Sequence, residues 1–306
     1  MCERLNNKLQ LIAMITGFSL SQAIRVVAEL GVADALSDGP RSAEELTEGT
    51  GTPPDNLFRV LRALASVGIF EQVGDRFQLT PLAEHLRRDD PDTVWPAAML
   101  ATNEIARAWF HFPQTVTENI SGFEQEFGYS IWEHFRQNPD RGAIFDSMMD
   151  AFHGHETPAM AEAYDFSGAG TVVDIAGGDG DVLARILADH PHCRGVLFDV
   201  PEVAQRTRER WQGEPLAERC DFVGGDFFQP LEVSGDLFLL RHIIHDWQDD
   251  QAVQILQNVR AAMPAHGKLL VIEGVIEPGN DPFSYKFLDL TMMALFGARE
   301  RSRDQY

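Results

Sequence analysis

The sequence predicts an α/β fold, in which a parallel β-sheet is flanked by helices and preceded by a smaller, mostly helical domain. Two observations carry this prediction. Short apolar stretches, TVVDI from Thr171 and GVLFDV up to Val200, are separated by DVLARILADH, whose apolar residues recur at helical spacing. Strands that alternate with helices are typical of a parallel sheet. Residues 1–100 instead read as helices followed by a short hairpin.

The first apolar stretch runs into a glycine turn. Val172 and Val173 are β-branched and suit a strand that is covered on both faces. Gly177, Gly178 and Gly180 then allow the backbone to turn sharply and to approach a ligand closely. A strand, a glycine turn and a helix are the opening of a nucleotide-binding βαβ unit in a Rossmann-like sheet.

The acids near this turn indicate which nucleotide it binds. Asp199 ends the second stretch, 19 residues after Gly180, at the distance where a carboxylate binds ribose hydroxyls. The turn reads AGGDG rather than the GxGxxG of dinucleotide sites, and Asp174 and Asp179 would repel a pyrophosphate. Both can accept hydrogen bonds from a cationic, amino-acid-bearing ligand. The sequence therefore favours S-adenosylmethionine over NAD; the alternative is an ordinary glycine-rich turn.

From Asp174 to Trp247 the chain resembles the plant-type small-molecule O-methyltransferases, which methylate caffeic acid, flavonoids and related phenols. Bacterial relatives act in antibiotic and pigment pathways. The matching segments are DIAGGDG, with Ala176 where many members have glycine, then FDVP, GGDFF and LLRHIIHDW. The resemblance implies a class I methyltransferase sheet and S-adenosylmethionine as cofactor. It implies a cofactor site formed by Asp174, Gly177, Gly178, Gly180, Asp199, Asp226, Phe227 and Arg241.

His245 is the candidate general base. A phenol has a pKa of about 10, so its oxygen is protonated and weakly nucleophilic at neutral pH. Histidine titrates in the range needed to take that proton, and a carboxylate on its other ring nitrogen would fix its tautomer. In the resembling family two glutamates flank the base, and Glu273 and Glu300 match them.

Other functions of these histidines stay open at this point. His242 and His245, with Asp246, have the spacing of a metal pair, but no cysteine partner or HExxH frame accompanies them. His153, His155 and Glu156 in FHGHE also resemble ligands, although we expect this segment to lie over cofactor and substrate. The alternative for His245 is a structural histidine, which we consider weaker than the general base. We expect no metal.

Segments rich in methionine and phenylalanine are candidates for the substrate pocket, because soft and adaptable side chains suit flat aromatic ligands. FDSMMDAF precedes the cofactor domain and LDLTMMALF follows its last visible strand. These stripes are equally compatible with core or dimer contacts. The predicted substrate residues are Phe145, Met149, Asp246, Trp247, Met292 and Met293.

Composition limits the classes of function. The 306 residues suggest two domains, and the net charge of −22 argues against affinity for nucleic acid or anionic membranes. Cys2, Cys193 and Cys220 form no disulfide framework, so we expect a reducing cytoplasm. No stretch reaches 18 apolar residues, and the N-terminus lacks a signal-peptide pattern.

The N-terminal region has a winged-helix layout. SLSQAIRVVAELGVADAL predicts a helix with a short second one, and Ser42 with Glu45 a capping box. PPDNLFRVLRALASVGIF predicts another helix and EQVGDRFQLTP a hairpin around Gly74. Domains with this layout often bind DNA. The helix that would contact DNA carries only two basic residues, Arg59 and Arg62, which are too few for phosphate contacts. The resemblance implies a homodimer interface instead.

Three segments follow: a dimerisation domain over 1–100, a helical linker over 101–160 that contributes to the pocket, and the cofactor-binding domain over 161–306. After the strand KLLVIEGVI, class I methyltransferase sheets add a helix and a hairpin, and the sequence stops at Tyr306 within that helix. We therefore expect a sheet without its final hairpin, which leaves one strand edge uncovered.

The sequence thus predicts methyl transfer from S-adenosylmethionine to a hydroxyl, here phenolic, of a small aromatic metabolite. The alternative is a hydroxylase or decarboxylase on the same fold, which uses the cofactor's positive charge rather than its methyl group. A regulator that binds the cofactor without turnover is a third hypothesis, disfavoured by the histidine and glutamates.

Overall fold

The computed structural model describes residues 2–282 and 285–306, with side chains from residue 5 onward. Contacts divide the chain into two compact units. One comprises Met1–Ala106 and Asn138–Phe152, and the other Arg107–Gln137 and His153–Tyr306. The predicted linker over 101–160 is therefore shared between the units.

The first unit is mostly helical. A three-stranded antiparallel sheet in the order β1-β3-β2 accompanies its helices. Its strands are β1 (Arg41–Ser42), β2 (Phe70–Val73) and β3 (Arg76–Leu79). Its helices are α1 (Cys2–Ile15), α2 (Phe18–Glu29), α3 (Val32–Ala35), α4 (Ala43–Thr47), α5 (Pro54–Ala65), α6 (Pro81–Glu84) and α7 (Trp95–Leu100), and α8 (Glu104–Trp109) begins in it.

The predicted winged-helix layout is confirmed. Ser42 caps α4 in a reciprocal capping box with Glu45, and the hairpin pairs β2 with β3 around Gly74. The two-residue strand β1, which the sequence did not predict, adds to the outer side of β3. Leu57, Leu61 and Leu64 of α5 are fully buried against this hairpin's core, which explains the apolar stripe of that helix.

A later helix, α12 (Pro139–His153), packs with this unit up to its residue 152. Arg141 on α12 forms two bonds with the buried Glu104 carboxylate, at 2.5 Å from Nε to Oε1 and 2.7 Å from Nη2 to Oε2. Paired bonds between a guanidinium and a carboxylate fix geometry as well as adding energy. Phe145 and Met149 lie on this helix.

The second unit is an α/β sandwich. Its strands are β4 (Thr171–Ile175), β5 (Arg194–Asp199), β6 (Cys220–Gly224), β7 (Leu237–Arg241) and β8 (Lys268–Ile272). Its helices are α9 (Phe112–Glu118), α10 (Gly122–Phe127), α11 (Ile131–Gln137), α13 (Thr157–Ala163), α14 (Asp181–Asp189), α15 (Pro201–Arg210), α16 (Asp249–Ala262) and α17 (Tyr285–Phe296). Short 3₁₀ turns cover Gly154–Glu156, Phe166–Gly168, Pro215–Arg219 and Ile244–Asp246.

All five strands are parallel, in the order β6-β5-β4-β7-β8, which confirms the predicted sheet. Alternate residues of β4 enter two cores on opposite faces. Val172 packs on one face with Leu183 of α14, and Val173 packs on the other with Ile255 of α16. A strand covered on both faces is mostly apolar, as the sequence indicated, and Asp174 near its end is the exception.

β8 is an outer strand of this sheet, and in the described part of the chain it pairs with β7 alone. Beyond its end, Val275 forms a parallel bridge with Arg301, and Ile276 N–H donates to Arg301 O at 2.9 Å. The segment around Arg301 thus continues the sheet at its carboxyl edge.

Among the described residues, no single helix combines the length and the apolar composition of a membrane span. One bent pair, Leu5–Ile15 with Phe18–Glu29, meets the test by length and composition alone. Cys193 and Cys220 are buried and unpaired, while the side chain of Cys2 lies outside the described residues.

Ala176 directly follows β4 and has a left-handed conformation, with φ of +56°. Its N–H donates to Phe198 O at 2.7 Å, so the strand beside it imposes this geometry. A Cβ in the left-handed region is crowded by the neighbouring carbonyl at a cost of about 1–2 kcal/mol, which glycine avoids.

We therefore expect Ala176→Gly to raise the free energy of unfolding by about 1 kcal/mol, measured by urea denaturation. Ala184→Gly, within α14, is the matched control and should lower it by about 1 kcal/mol. A loss of stability in both variants would show that backbone strain at Ala176 is not significant.

Candidate active site

The carboxyl edge of the parallel sheet gathers the predicted functional residues. Asp174 is near the end of β4, Asp199 ends β5 and Arg241 ends β7, while Glu273 follows β8 directly. Parallel strands bring these ends to one side of the sheet, where ligands of open α/β folds bind. His245 lies in the Ile244–Asp246 turn after β7, on the same edge.

The glycine turn is tied to β5 through Asp199. Gly178 N–H donates to Asp199 Oδ2 at 2.9 Å, and Val200 N–H donates to Oδ1 at 2.7 Å. A Cβ on Gly177 would lie 2.9 Å from the Asp174 carboxyl, so only glycine allows this close approach. Gly180 opens α14 with φ of +78°. The loop's glycines are thus required by its shape.

Asp174 is the unsatisfied carboxylate of the loop. It is 3% exposed, and among the described residues no hydrogen bond or ion pair reaches it. Burial raises its pKa to about 7, with Arg241 opposing and Asp199 adding to the rise. Buried carboxylates without a partner are costly and commonly await a ligand.

Asp179 was predicted from the sequence to bind a cationic ligand, but the structure pairs it with protein groups instead. Its carboxylate forms an ion pair with Arg210 at 2.5 Å, and its carbonyl accepts from Trp211 Nε1 at 3.3 Å. The loop's attraction for a cation therefore depends on Asp174 rather than on both acids.

Two of the predicted cofactor-binding residues, Asp226 and Phe227, follow β6. Asp226 is exposed, and its Oδ1 accepts from Phe228 N–H at 2.9 Å, which closes a local turn. Phe227 O accepts from Asn258 Nδ2 at 2.9 Å, and its ring meets Trp247 edge-on at 5.7 Å. The structure therefore brings Phe227 beside Trp247, a predicted substrate residue.

His245 is buried and held by Glu300. Its Nδ1–H donates to Glu300 Oε1 at 2.6 Å, while Glu273 Oε2 lies 3.8 Å from the same nitrogen. Nε2 is left for a substrate, with Asp246 Oδ1 at 3.5 Å. A histidine whose Nδ1 is fixed by a carboxylate has the tautomer of a general base.

Three carboxylates determine the charge of this histidine. Burial by itself would lower the pKa of His245, but Asp246, the Glu300 bond and Glu273 together raise it to about 9. Burial in turn raises the pKa of Asp246 to about 7, against the pull of His245. The site thus holds an excess of negative charge, which suits a cationic cofactor.

Backbone and side-chain bonds fix the turn that carries the base. Glu273 Oε1 accepts from Ile243 N–H at 3.1 Å and from Ile244 N–H at 2.7 Å. The buried Arg301 guanidinium donates to Ile244 O at 2.8 Å and to Trp247 O at 2.9 Å. Glu273 therefore fixes the start of this short turn, and Arg301 fixes its carbonyl groups.

A second polar cluster lies beside the base, centred on Glu156. Its carboxylate accepts from His242 Nε2 at 2.9 Å and from Tyr285 Oη at 3.1 Å. Arg241 Nη2 is 3.6 Å away and donates to His153 O at 2.5 Å. The sequence pointed to His153, Glu156 and His242 only as metal candidates, and nothing in it pointed to Tyr285.

Two groups of donor atoms lie within 4.8 Å of one another among the described residues: His153, Glu156 and His242, and His242, His245 and Glu273. The His153 and His242 rings lie 4.1 Å apart, tilted at 30°, and Nε2 of His242 is already bonded to Glu156. Nδ1 of His245 is already bonded to a carboxylate. The geometry is that of hydrogen-bonded pairs, and the absence of a metal stays a prediction.

Aromatic side chains surround Trp247. Trp132 of α11 stacks on it at 6.4 Å and contacts Phe296 at 5.3 Å. Sequence reasoning missed Trp132, which precedes the cofactor segment. On α17, Met293 is half-buried, whereas Met292 is 6% exposed and behaves as a core residue. The substrate roles of Phe145 and Met149, in the first unit, stay predictions.

Comparison with known proteins places this geometry in a family. Residues 109–306 match the O-methyltransferase domain, and residues 12–89 match the O-methyltransferase dimerisation domain. Phenazine O-methyltransferase PhzM of Lysobacter antibioticus is 41% identical over 297 residues, which are 97% of this chain and 87% of that protein.

Two solved structures are similar over most of both chains. The crystal structure of LaPhzM has a TM-score of 0.94 at 41% identity and covers 97% of this chain and 90% of its own. NcsB1 from neocarzinostatin biosynthesis, in complex with S-adenosyl-L-homocysteine and 1,4-dihydroxy-2-naphthoic acid, has a TM-score of 0.83 at 31% identity. It covers 94% of this chain and 87% of its own.

The chain therefore belongs to the O-methyltransferase family defined by these two domains. It is an S-adenosylmethionine-dependent O-methyltransferase with an N-terminal dimerisation domain. The unpartnered Asp174 carboxylate and the glycine cradle above it fit the ammonium group of such a cofactor.

Cofactor binding should depend on pH through Asp174. A bound ammonium stabilises the ionised carboxylate, so binding below pH 7 must first remove its proton. We expect the Kd of S-adenosylhomocysteine, measured by calorimetry, to rise by up to about tenfold per unit as pH falls below about 7.

Asp174→Asn should weaken binding and flatten this dependence. Asp226→Asn, at an exposed carboxylate, is the comparison and should weaken binding without changing the slope. An unchanged slope in Asp174→Asn would assign the titration to another group, such as Asp199, whose pKa burial raises to about 6.

Proposed function

We propose that the enzyme methylates a phenolic hydroxyl of a small aromatic metabolite, with His245 as the general base. The observation that carries this proposal is the buried hydrogen bond of 2.6 Å between His245 Nδ1 and Glu300 Oε1. It leaves Nε2 as the acceptor of a proton at the carboxyl edge of the sheet. A phenazine O-methyltransferase relative and a neighbour holding a dihydroxynaphthoic acid support an aromatic acceptor.

The cofactor supplies an electrophilic methyl group on a sulfonium when bound. We assign its binding to Asp174, Gly177, Gly178, Gly180, Asp199, Asp226, Phe227 and Arg241. His245 takes the hydroxyl proton at Nε2 as the oxygen becomes nucleophilic. Glu300 holds the Nδ1 hydrogen, and Glu273 stabilises the imidazolium that forms.

We assign the pocket wall to the second unit, where Asp246, Trp247 and Met293 contribute. Trp132 is added because it stacks on Trp247. The flat faces of Trp132 and Trp247 suit a planar acceptor. Asp246, 3.5 Å from Nε2, would accept a hydrogen bond from the reacting or a neighbouring hydroxyl.

We further propose a homodimer formed through the dimerisation domain. Helices α1 and α2 expose Leu9, Ile12, Met14 and Phe18, each at least 43% exposed, and a partner's apolar surface would cover them. The unpaired Cys193 and Cys220 fit a reducing, cytoplasmic location.

The hydroxylase alternative has less support. The domain match and the PhzM relative are those of O-methyltransferases, and the histidine–glutamate pair is intact. Product mass separates the two activities, since methylation adds a carbon and hydroxylation adds an oxygen.

Replacing the base tests the proposal directly. We expect His245→Ala to lower kcat for methylation of a phenol by roughly 10²–10⁴-fold. Calorimetry should show cofactor affinity close to that of the wild type, because His245 has no assigned contact with it. Turnover at the wild-type rate would mean that positioning alone carries the reaction.

The pH profile gives an independent test. His245 must be neutral to accept a proton, and in the folded enzyme without ligands its neighbouring carboxylates raise its pKa to about 9. We expect kcat/KM to rise with pH from 7 and to level off above about 9. Glu300→Gln should move this midpoint to lower pH, because the charge that raises the pKa of His245 is lost. A profile that is flat between pH 7 and 9 would contradict the assignment.

A further inference from the structure

Glu156 holds groups from several segments on one carboxylate. His242 Nε2 lies at 2.9 Å and Tyr285 Oη at 3.1 Å, with Arg241 Nη2 at 3.6 Å and His153 Nδ1 at 3.7 Å. Burial opposes ionisation of Glu156, but its contacts with His242 lower its pKa below the ordinary value, and His153 and the Tyr285 hydrogen bond add to the effect. The carboxylate is therefore ionised and can only accept hydrogen bonds.

His242 is neutral and has one possible tautomer beside this carboxylate. Burial lowers the pKa of His242, and His245 and Arg241 add to the effect. Since Glu156 accepts at Nε2, that nitrogen carries the hydrogen and Nδ1 carries the lone pair. Nδ1 is buried and has no hydrogen-bond partner among the residues that the structure describes.

The Nδ1 lone pair faces the glutamate that serves the base. His242 Nδ1 is 3.9 Å from Glu273 Oε2, and the same oxygen is 3.8 Å from His245 Nδ1. Within the described part of the chain, Glu273 Oε2 is also buried without a hydrogen bond. With the opposite tautomer, an N–H on Nδ1 would point at this oxygen and draw it away from His245.

The backbone of His242 is strained in the position that creates this contact. Its φ is +51°, in the left-handed region that residues other than glycine rarely adopt. Its N–H donates to Ile272 O at 2.9 Å, and its side chain is held by Glu156. Strain of this kind persists where surrounding contacts impose it, and it occurs preferentially at functional sites.

We propose that Glu156 is a positioning residue for methyl transfer: by accepting the Nε2 hydrogen of His242, it fixes that tautomer and reserves Glu273 for His245. The inference rests on His245 being the base. The catalytic pair His245–Glu300 is thereby joined by a second histidine–carboxylate pair, Glu156–His242. The second pair acts on His245 through Glu273.

The other charged groups near the two histidines are the same whichever tautomer His242 adopts. His242 faces His153 and Tyr285 in addition to Glu156 and Glu273, and the charge of Arg241 acts on it as well. His245 faces Asp246 and Glu300 as well as Glu273, and the Arg301 guanidinium bonds to the neighbouring Ile244 O. The switch of tautomer changes the Glu273 contact and leaves these others in place.

The test is the pH profile of the full-length enzyme carrying Glu156→Gln. An amide can donate or accept, so it no longer selects the His242 tautomer. Glu273 is then drawn to His242, and less negative charge acts on His245. We expect the kcat/KM midpoint to fall by about one pH unit and the plateau to fall roughly tenfold or more.

Two further variants make the result specific. Glu162→Gln removes the same charge from an exposed position on α13 and should leave midpoint and plateau unchanged. His242→Asn keeps a residue that tolerates positive φ. In that background, Glu156→Gln should produce no additional shift.

Nitrogen-15 NMR of histidine-labelled enzyme observes the tautomer directly. We expect wild-type His242, assigned by its loss in His242→Asn, to be protonated at Nε2, and Glu156→Gln to shift it toward Nδ1. An Nδ1–H signal in the wild type, or a wild-type midpoint in Glu156→Gln, would overturn the proposal. Full activity of His245→Ala would instead refute the base itself, so the two failures are distinguishable.

Discussion

The hydrogen bond between His245 and Glu300 is the interaction on which the arrangement of the catalytic edge depends. It joins residues 55 positions apart, both of them buried, and so connects the turn after β7 with the segment after α17. Arg301, next to Glu300, donates to two carbonyls of the turn that carries His245. The base and its partner are therefore linked through side chains and backbone together.

Two residues of this edge occupy left-handed backbone conformations without being glycine. Ala176 does so where β4 gives way to the cofactor loop, and His242 where β7 gives way to the base turn. Both follow neighbouring inner strands, and both are restrained by a hydrogen bond to the adjacent strand. At both positions the chain turns abruptly as it leaves the strand, and the residues that follow lie at the carboxyl edge of the sheet.

The sequence predicted the elements with strong local signals. The glycine turn, the apolar strands and the capping box at Ser42 follow from residue type and spacing. The pairing of His245 with Glu300 and Glu273 came from family resemblance, since nothing in spacing brings residues so far apart together. β1, with two residues, is too short for a periodic signal.

The Glu156 cluster and the Arg210 partner of Asp179 could not be predicted, because each depends on how distant segments meet. The sequence showed an acid in each case but could not show whether a protein group or a ligand would neutralise it. The sharing of residues 101–160 between the two units likewise depends on contacts such as Arg141 with Glu104.

The position of α17 limits how the acceptor range of such an enzyme can change. This helix carries Met293 toward the proposed acceptor pocket, and its Asp289 accepts the backbone N–H of Glu300 at 2.9 Å. One helix thus bears both a wall of the pocket and the support for the base's carboxylate. Selectivity and reactivity are mechanically coupled, so a substitution that tilts α17 to admit a bulkier ring would also misalign proton abstraction. Acceptor range would therefore diversify more freely through Trp132, which is carried on a different helix.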